Sequence, residues 1–313
     1  MPDVETQKQE KTTFEASIEE LPQIMTGIDT REENKIIQVR ATYLPTQKHS
    51  EAFCYITHDT NPIHSKIAPI LLQFSALNLL ARKTMEKSGI SYLDYPFVQV
   101  DTDGKSLIIN NCPYQLDMRI DPRCTPIRVS AAITNPRINN HPVYTLNLEA
   151  HKEEPEGFAP EIDLSKFSHA CAFKGTEAKA FSHLIGGESV ERTLYSIAVS
   201  SSVVFDAVKQ GRLNMENGLM AVYDSQRVYF NSQTGPNMAD GILLELFLSE
   251  REKFGKSTRR DETLDMKILA RNSEGKPIYL SHAPVKFPRE ELLETKLEME
   301  RRRLERALRM SAG

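Results

Sequence analysis

A carboxylate, an amide and an imidazole occur within six positions of one another in residues 54–66, which run CYITHDTNPIHSK. Asp59 and His64 are five positions apart, and Asn61 lies between them. A carboxylate and an imidazole directed at one point can hold a water molecule, one accepting a proton and the other donating one. Asn61 can donate and accept hydrogen bonds, so it can orient its neighbours. The spacing is therefore compatible with proton transfer on a water molecule by Asp59 and His64.

Pro62 restrains the backbone between these polar side chains. Its ring fixes its own φ and biases Asn61 toward an extended conformation. We expect a rigid loop leading into a helix, with Asn61 and Pro62 holding the Asp59 and His64 side chains in fixed positions. The alternative interpretation is a polar turn, in which Asp59 caps the next segment and His64 bonds to backbone.

The segment at residues 69–89, PILLQFSALNLLARKTMEKSG, predicts a buried helix. Pro69 suits the first helical position, and Gly89 suits the point where a helix stops. Apolar residues surround the first three turns, which is typical of a helix that packs on most of its sides. These residues are Ile70, Leu71, Leu72, Phe74, Ala76, Leu77, Leu79, Leu80 and Ala81.

Strand-like segments surround this helix in the sequence. Residues 97–110 predict a hairpin, because Asp103 and Gly104 suit a tight turn. Four more strands are predicted at residues 35–43, 115–120, 127–134 and 143–151. A long buried helix followed by antiparallel strands predicts a curved sheet wrapped around that helix.

The same order of elements occurs a second time. Residues 188–211 predict another mostly apolar helix, ending at Gly211 and starting about 120 residues after the first. Five strands are predicted after it, the last two joined across residues 273–275. The predicted organisation is a flexible N-terminal arm (1–20), a first unit (21–151), a charged linker with two prolines (152–166), a second unit (167–287) and a C-terminal helix (288–313).

Residues 55–64 resemble the hydratase-2 motif of MaoC-like (R)-specific enoyl-CoA hydratases, a family with the hot-dog fold. The resemblance lies in the run D-x-N-P-I-H directly before a buried helix. It implies that Asp59 and His64 hold the water that adds across a trans-2-enoyl thioester to give the (R)-3-hydroxyacyl product. It also implies that the backbone N–H of Gln73, near the helix start, donates a hydrogen bond to the thioester carbonyl oxygen.

The resemblance further implies an α+β double hot dog: two curved antiparallel sheets, each wrapped around a long buried central helix, plus a C-terminal helix. The second unit has no D-x-N-P-x-H run, so we expect it to be a non-catalytic partner that shapes the acyl pocket. The chain departs from the family pattern in three places. His58 and Gln73 stand where the family has glycines, and the segment between His64 and the helix is shorter.

Two other functions suit the same sequence. His58, Gln73 and the shortened loop would suit a protein that binds an acyl thioester or related lipid without turnover. Glu188, which follows Gly186 and Gly187 before the second helix, would suit a hot-dog thioesterase that activates water on an acyl thioester. The simpler explanation of Glu188 is a favourable charge near a helix N-terminus.

The composition limits the binding partners and the cellular compartment that we expect for this chain. With 313 residues, 40% of them hydrophobic and 26% charged, the chain has a globular composition and room for two domains. A net charge of −4 gives no reason to expect nucleic acid, and no apolar run is long enough for a membrane span. The four cysteines have no CxxC spacing, which favours reduced thiols in the cytoplasm.

The expected partner is an acyl-CoA or acyl carrier protein thioester. No cofactor is expected, because the spacing of His58, Asp59 and His64 matches no strong zinc or iron motif. The assembly is left open between a monomer that is complete by itself and a homodimer.

Overall fold

The structure is a computed structural model that describes most of both predicted units. The described residues are 18, 20–59, 61–104, 106–136, 142–155, 167–172, 174–210, 222–223, 225–234, 241–250, 263–286, 297–299 and 301–302. Most of the predicted N-terminal arm, linker and C-terminal helix lies outside them, as does Gly211. Ile18, within the predicted arm, is buried in the core.

In the described part of the first half there are six strands and two complete α-helices. Its elements are β1 (Met25–Glu33), β2 (Ile36–Tyr43), α1 (Gln47–Thr57), a 3₁₀ turn (Pro62–Ser65), α2 (Ile70–Lys87), a second 3₁₀ turn (Tyr92–Asp94), β3 (Phe97–Gly104), β4 (Tyr114–Asp121), β5 (Ile127–Thr134) and β6 (Pro142–His151). Buried and exposed residues alternate along β2, β4 and β5, so one face of the sheet packs on the helices.

Helix α2 is the buried helix predicted from the sequence. Thirteen of its residues are buried, because its apolar side chains surround the axis. It ends at Lys87, and Gly89 has a positive φ of 76°, as expected for a residue that stops a helix. Pro69 lies one position earlier than predicted: it is the N-cap, and Ile70 is the first helical residue.

Helix α1 was not predicted from the sequence, and its last turn includes residues 54–57, directly before the predicted loop. The helix begins at a capping box, in which the Thr46 hydroxyl accepts from the His49 N–H and the His49 ring bonds the Thr46 N–H. It buries Ala52, Phe53 and Ile56 at helical spacing.

Where the structure describes the second half, it contains six strands and three shorter helices. Its elements are β7 (Phe167–Ala172), α3 (Gly175–Leu184), α4 (Arg192–Ala198), α5 (Ser201–Lys209), β8 (Val222–Tyr223), β9 (Ser225–Asn231), β10 (Gly241–Glu250), β11 (Thr263–Arg271) and β12 (Pro277–Lys286). The prediction of one long central helix in this half is wrong, because the helical segment is interrupted between Ala198 and Ser201. The turn between β11 and β12 is confirmed, with Gly275 at a positive φ of 76°.

All strands belong to one twelve-stranded sheet rather than to two separate sheets. Its order is β1-β2-β4-β5-β6-β3-β9-β12-β11-β10-β7, with β8 paired to β12. The predicted hairpin at residues 97–110 is wrong, because β3 pairs with β6 on one side and with β9 on the other. The β3–β9 pairing therefore joins the two halves edge to edge.

A buried ion pair also joins the two halves. The Arg82 guanidinium on α2 donates to the carboxylate of Glu191, the N-cap residue of α4. The Glu191 side chain is 5% exposed, and the Arg82 guanidinium also lies over the Tyr92 ring, 5.8 Å from its centroid. Charge is therefore buried at the helix contact between the halves.

A helical stretch near the end of the chain packs against the first half. Leu297, in a helical stretch that follows the second half, is buried against Ile63, Ile67 and Leu107 of the first half.

Among the described residues, no helix is long and apolar enough to cross a membrane.

Replacing Arg82 by methionine is expected to lower the free energy of unfolding by about 3 kcal/mol, because the Glu191 carboxylate stays buried without its partner. Urea unfolding followed by circular dichroism measures this loss. The control Arg31→Met removes an exposed pair with Asp29 and is expected to cost less than about 1 kcal/mol. Equal losses in the two variants would contradict a special role for the buried pair.

Candidate active site

The end of α1 positions Asp59. His58 is the C-cap of this helix and has a left-handed backbone, with φ 56° and ψ 28°. The backbone N–H groups of His58 and Asp59 both donate to the Cys54 carbonyl oxygen, so the chain turns sharply after the helix. This turn buries the Asp59 side chain, which is only 7% exposed.

The segment after Asp59 is held by its own side chains. The Asp59 carboxylate accepts from the Asn61 backbone N–H at 3.0 Å, and the Asn61 side-chain oxygen accepts from the Ile63 N–H at 3.3 Å. Asn61 is the N-cap of the 3₁₀ turn that starts at Pro62 and carries His64. The His64 carbonyl oxygen accepts from the Asn110 amide at 3.1 Å, which attaches the turn to the segment after β3.

The turn brings the two predicted catalytic side chains together. The Nε2 atom of His64 lies 3.4 Å from Oδ2 of Asp59, and the His64 side chain is 12% exposed. The other ring nitrogen, Nδ1, is buried and has no hydrogen-bond partner among the described residues. A carboxylate and an imidazole in contact, with the second ring nitrogen not hydrogen-bonded, can exchange protons with a bound molecule.

The pair lies in the wall of a cavity that both halves build. Its empty volume, including the open mouth, is about 890 Å³. Apolar side chains from the start of α2, from the segment after β3 and from α5 line most of it, beside the polar site residues. The lining residues are Asp59, Asn61, Ile63, His64, Ile67, Ala68, Pro69, Ile70, Leu71, Gln73, Gly104, Ser106, Leu107, Ile108, Tyr144, Ser201, Val204 and Phe205.

Gln73 lines this cavity from the first turn of α2. Its side-chain nitrogen donates to the Ala68 carbonyl oxygen at 3.2 Å, and its side-chain oxygen has no partner among the described residues. The N-terminus of α2, where backbone N–H groups point outward, therefore borders the cavity. The oxyanion role of the Gln73 backbone N–H stays a prediction.

His58 belongs to a different cluster from its neighbour Asp59. Its side chain is 53% exposed, and Nε2 lies 3.5 Å from the Glu177 carboxylate of α3. Lys174 donates to the same carboxylate at 3.0 Å, and the Tyr195 hydroxyl donates to it at 3.1 Å. His58 thus lines a second cavity, of about 470 Å³, rather than the one that contains Asp59.

The thioesterase candidate Glu188 does not line either of these cavities. Its side chain is 93% exposed and lies 3.2 Å from the Lys83 ammonium on α2. Glu188 is therefore a surface charge that forms an ion pair with a residue of the first half.

The residues of this site that could bind a metal ion together include Cys54 and not His58. Cys54, Asp59 and His64 each offer one ligand atom, and these atoms lie within 4.8 Å of one another. Burial, together with the Asp59 carboxylate, raises the pKa of the Cys54 thiol well above its usual range. Without a metal ion, the Cys54 thiol therefore keeps its proton.

Sequence reasoning missed the polar residues that come to the cavity from distant segments. Tyr144 arrives on β6 and Ser201 on α5, and neither lies near the motif in the sequence. One signal was present for Ser201: residues 200–202 are three serines inside an otherwise apolar helical segment. Polar residues in such a segment need a hydrogen-bond partner, and a molecule bound in a cavity can supply one.

No protein-family model and no curated protein sequence matches this chain. Solved structures do resemble it. A "MaoC-like dehydratase" matches with a TM-score of 0.54 and 12% identity, over 86% of this chain and 100% of the other. A MaoC-domain protein from Chloroflexus aurantiacus matches with a TM-score of 0.51 and 13% identity, over 80% and 93% of the two chains.

A third structure, the 12:0-ACP thioesterase from Umbellularia californica, matches with a TM-score of 0.50 and 7% identity, over 79% of this chain and 93% of the other. At these identities the likeness concerns the fold. The chain therefore has the hot-dog type of fold that the MaoC-like resemblance implied, a fold shared by dehydratases and thioesterases.

The Glu177 cluster predicts a specific acid sensitivity. Burial alone would raise the pKa of Glu177, but hydrogen bonds from His58 and Lys174 outweigh it and lower the pKa from 4.5 to about 2. Because the folded-state pKa is the lower one, the stability due to ionised Glu177 is present above pH 4.5 and is lost as the pH falls to about 2.

Urea unfolding of wild type and Glu177→Gln across this pH range tests the effect. The stability advantage of wild type is expected to be greatest above pH 4.5 and to shrink as the pH falls toward about 2. An advantage that does not change with pH would contradict an ionic role for Glu177. Glu188→Gln, at an exposed carboxylate, is the control and should show no such trend.

Proposed function

We propose that the protein is a MaoC-like hydro-lyase, which reversibly hydrates trans-2-enoyl thioesters to (R)-3-hydroxyacyl thioesters. The observation that carries this proposal is the contact between His64 Nε2 and Asp59 Oδ2 in the wall of a largely apolar cavity. The D-x-N-P-I-H run and the hot-dog type of fold support the same reaction class.

The proposed reaction needs only proton transfer and positioning. The Asp59–His64 pair removes one proton from water as the water oxygen bonds to C3, and it supplies one proton to C2 as the double bond becomes single. Asn61 and Pro62 hold the pair in place through the turn described above. The backbone N–H of Gln73 would polarise the thioester carbonyl, which takes on negative charge as C3 is attacked.

The two halves have different roles in this proposal. The first half supplies the catalytic pair, and the second half supplies a cavity wall through Ser201, Val204 and Phe205. This is the division expected of a double hot dog with one catalytic unit. The substrate is an acyl-CoA or acyl carrier protein thioester whose acyl chain lies in the cavity, and we place the protein in the cytoplasm.

A thioesterase reaction is the second candidate, because a thioesterase has a similar fold. The same Asp59–His64 pair would then direct water at the thioester carbonyl carbon instead of C3. The exposed, ion-paired position of Glu188 argues against the Glu188 version of this mechanism. Release of a free thiol distinguishes hydrolysis from hydration.

The test is hydration of trans-2-enoyl-CoA by the purified protein, measured as loss of enoyl-thioester absorbance over short, medium and long acyl chains. Asp59→Asn and His64→Asn are each expected to lower kcat/KM by about 10²–10⁴-fold, because each removes a proton-transfer group. Free thiol is measured in parallel.

The matched controls are Asp94→Asn and His183→Asn, which make the same changes at exposed residues outside the cavity. They are expected to keep wild-type turnover. Turnover retained in both site variants would contradict the assignment of the pair. Binding without turnover at every chain length would favour the non-catalytic alternative.

A further inference from the structure

Cys54, Asp59 and His64 bring together three different kinds of metal ligand. They are evenly spaced in the sequence, with four residues between neighbours in the run C-x₄-D-x₄-H. Each residue offers one ligand atom, and the three atoms lie within 4.8 Å of one another. The hydration reaction proposed above uses the carboxylate and the imidazole, and it leaves the thiol without a role.

The distances in this cluster suit one small cation. The ligand atoms of a tetrahedral zinc ion lie about 2.0–2.3 Å from the metal, which places a nitrogen and an oxygen ligand about 3.3 Å apart. The Nε2 atom of His64 lies 3.4 Å from Oδ2 of Asp59, which matches that separation and is longer than an ordinary hydrogen bond. A sulfur ligand would lie about 3.5 Å from either atom. The three groups therefore need only small side-chain adjustments to share one cation.

Hydrogen bonds hold the backbone around the three groups. The Cys54 carbonyl oxygen accepts from the Asp59 N–H at 3.0 Å, so the thiol and the carboxylate are held at the same end of α1. Asn110 links this helix to the turn that carries His64. Its side-chain oxygen accepts from the Ser50 hydroxyl at 2.8 Å, and its side-chain nitrogen donates to the His64 carbonyl oxygen at 3.1 Å. Such surrounding bonds orient metal ligands before the metal binds.

The ligand types and their charges select the kind of cation. A thiolate and an imidazole favour zinc and chemically similar ions, whereas magnesium and calcium favour oxygen ligands. A coordinating cation displaces the proton of a thiol, so Cys54 would release one proton to solvent and bind as the thiolate. Together with the Asp59 carboxylate, the thiolate balances the charge of a divalent ion, so the buried complex carries no net charge. The fourth position of a tetrahedral zinc ion is left to water.

We propose that Cys54, Asp59 and His64 bind a divalent cation of the zinc type, and that the bound cation inhibits the Asp59–His64 pair. The metal site goes beyond the proposed function, whereas the inhibition rests on it. Coordination occupies the lone pairs with which the carboxylate and the imidazole accept protons during hydration. Cys54 gives the site its affinity for zinc, because it supplies the sulfur ligand.

The site is tested by calorimetry with zinc chloride and protein that is reduced and freed of metal with a chelator. Wild type is expected to bind one zinc ion per chain in this site. Cys54→Ala is expected to weaken that binding at least about 100-fold, because even groups that only orient metal ligands contribute up to this much. The control Cys124→Ala removes a half-buried thiol outside the cluster and should leave zinc binding unchanged. Magnesium chloride is expected to show no binding.

Cobalt(II) gives a spectroscopic readout that does not depend on activity. When a thiolate coordinates it, a sulfur-to-cobalt charge-transfer band is expected in the near ultraviolet. The band should be present in wild type and in Cys124→Ala and absent from Cys54→Ala. A band in all three proteins, or in none of them, overturns the site.

Inhibition is tested by hydration of trans-2-enoyl-CoA with and without zinc, taken as a ratio within each protein. Zinc is expected to lower the turnover of wild type and Cys124→Ala at concentrations that leave Cys54→Ala much less affected. Metal binding through Cys54 with no loss of hydration overturns the inhibitory role alone. Hydration without metal binding through Cys54 overturns the site and leaves the proposed function standing. Absence of hydration by the metal-free protein overturns the proposed function and the inhibition together, while calorimetry and the cobalt band decide the site.

Discussion

The pairing of β3 with β9 is the constraint on which the candidate site depends. These strands run antiparallel in a register that matches Phe97 with Asn231 and Asp103 with Ser225. The pairing makes one sheet of the two halves and fixes the position of α5 relative to α2. Since the cavity takes one wall from the start of α2 and another from α5, neither half could enclose it alone.

The two halves differ at the turn that follows the first described helix of each. In the first, α1 ends at the left-handed residue His58, and Asp59 follows. In the second, α3 is followed by Gly186 with a positive φ of 87°, and then by Gly187. A Cβ at Gly187 would lie 2.9 Å from the Ser182 carbonyl oxygen, so this tight turn has no room for a side chain that could act as Asp59 does. The backbone turn is common to both halves, whereas the carboxylate is present in one.

Local patterns in the sequence predicted the local parts of the site. The D-x-N-P-I-H run and the all-round apolar pattern of α2 identified the pair and its supporting helix, because both depend on residues close in sequence. Helix α1 could have been predicted from the helical spacing of Ala52, Phe53 and Ile56. Asp103 and Gly104 suited a hairpin turn, but β3 instead pairs with strands distant in the chain, and such pairing leaves no local signal. The direction of His58, toward Glu177 and away from Asp59, likewise depends on a residue of the other half.

The Asp59–His64 pair differs from the other charged groups near the contact between the halves. Those groups are fully engaged in ion pairs, as in the Arg82–Glu191 pair and the cluster around Glu177. In the Asp59–His64 pair, the buried Nδ1 atom of His64 has no hydrogen-bond partner among the described residues. A protein tolerates this cost where a bound molecule offsets it, which is why the cavity and not the exposed Glu188 is the candidate active site.

The measurement that tests the central claim most directly is the fate of isotopic oxygen. The protein is incubated with a trans-2-enoyl-CoA in ¹⁸O-labelled water, and the products are analysed by mass spectrometry. A hydro-lyase places the label in the C3 hydroxyl of an intact thioester, and this is the result we predict. Label found only in the carboxylate of a released acid would contradict the claim and identify the site as a thioesterase.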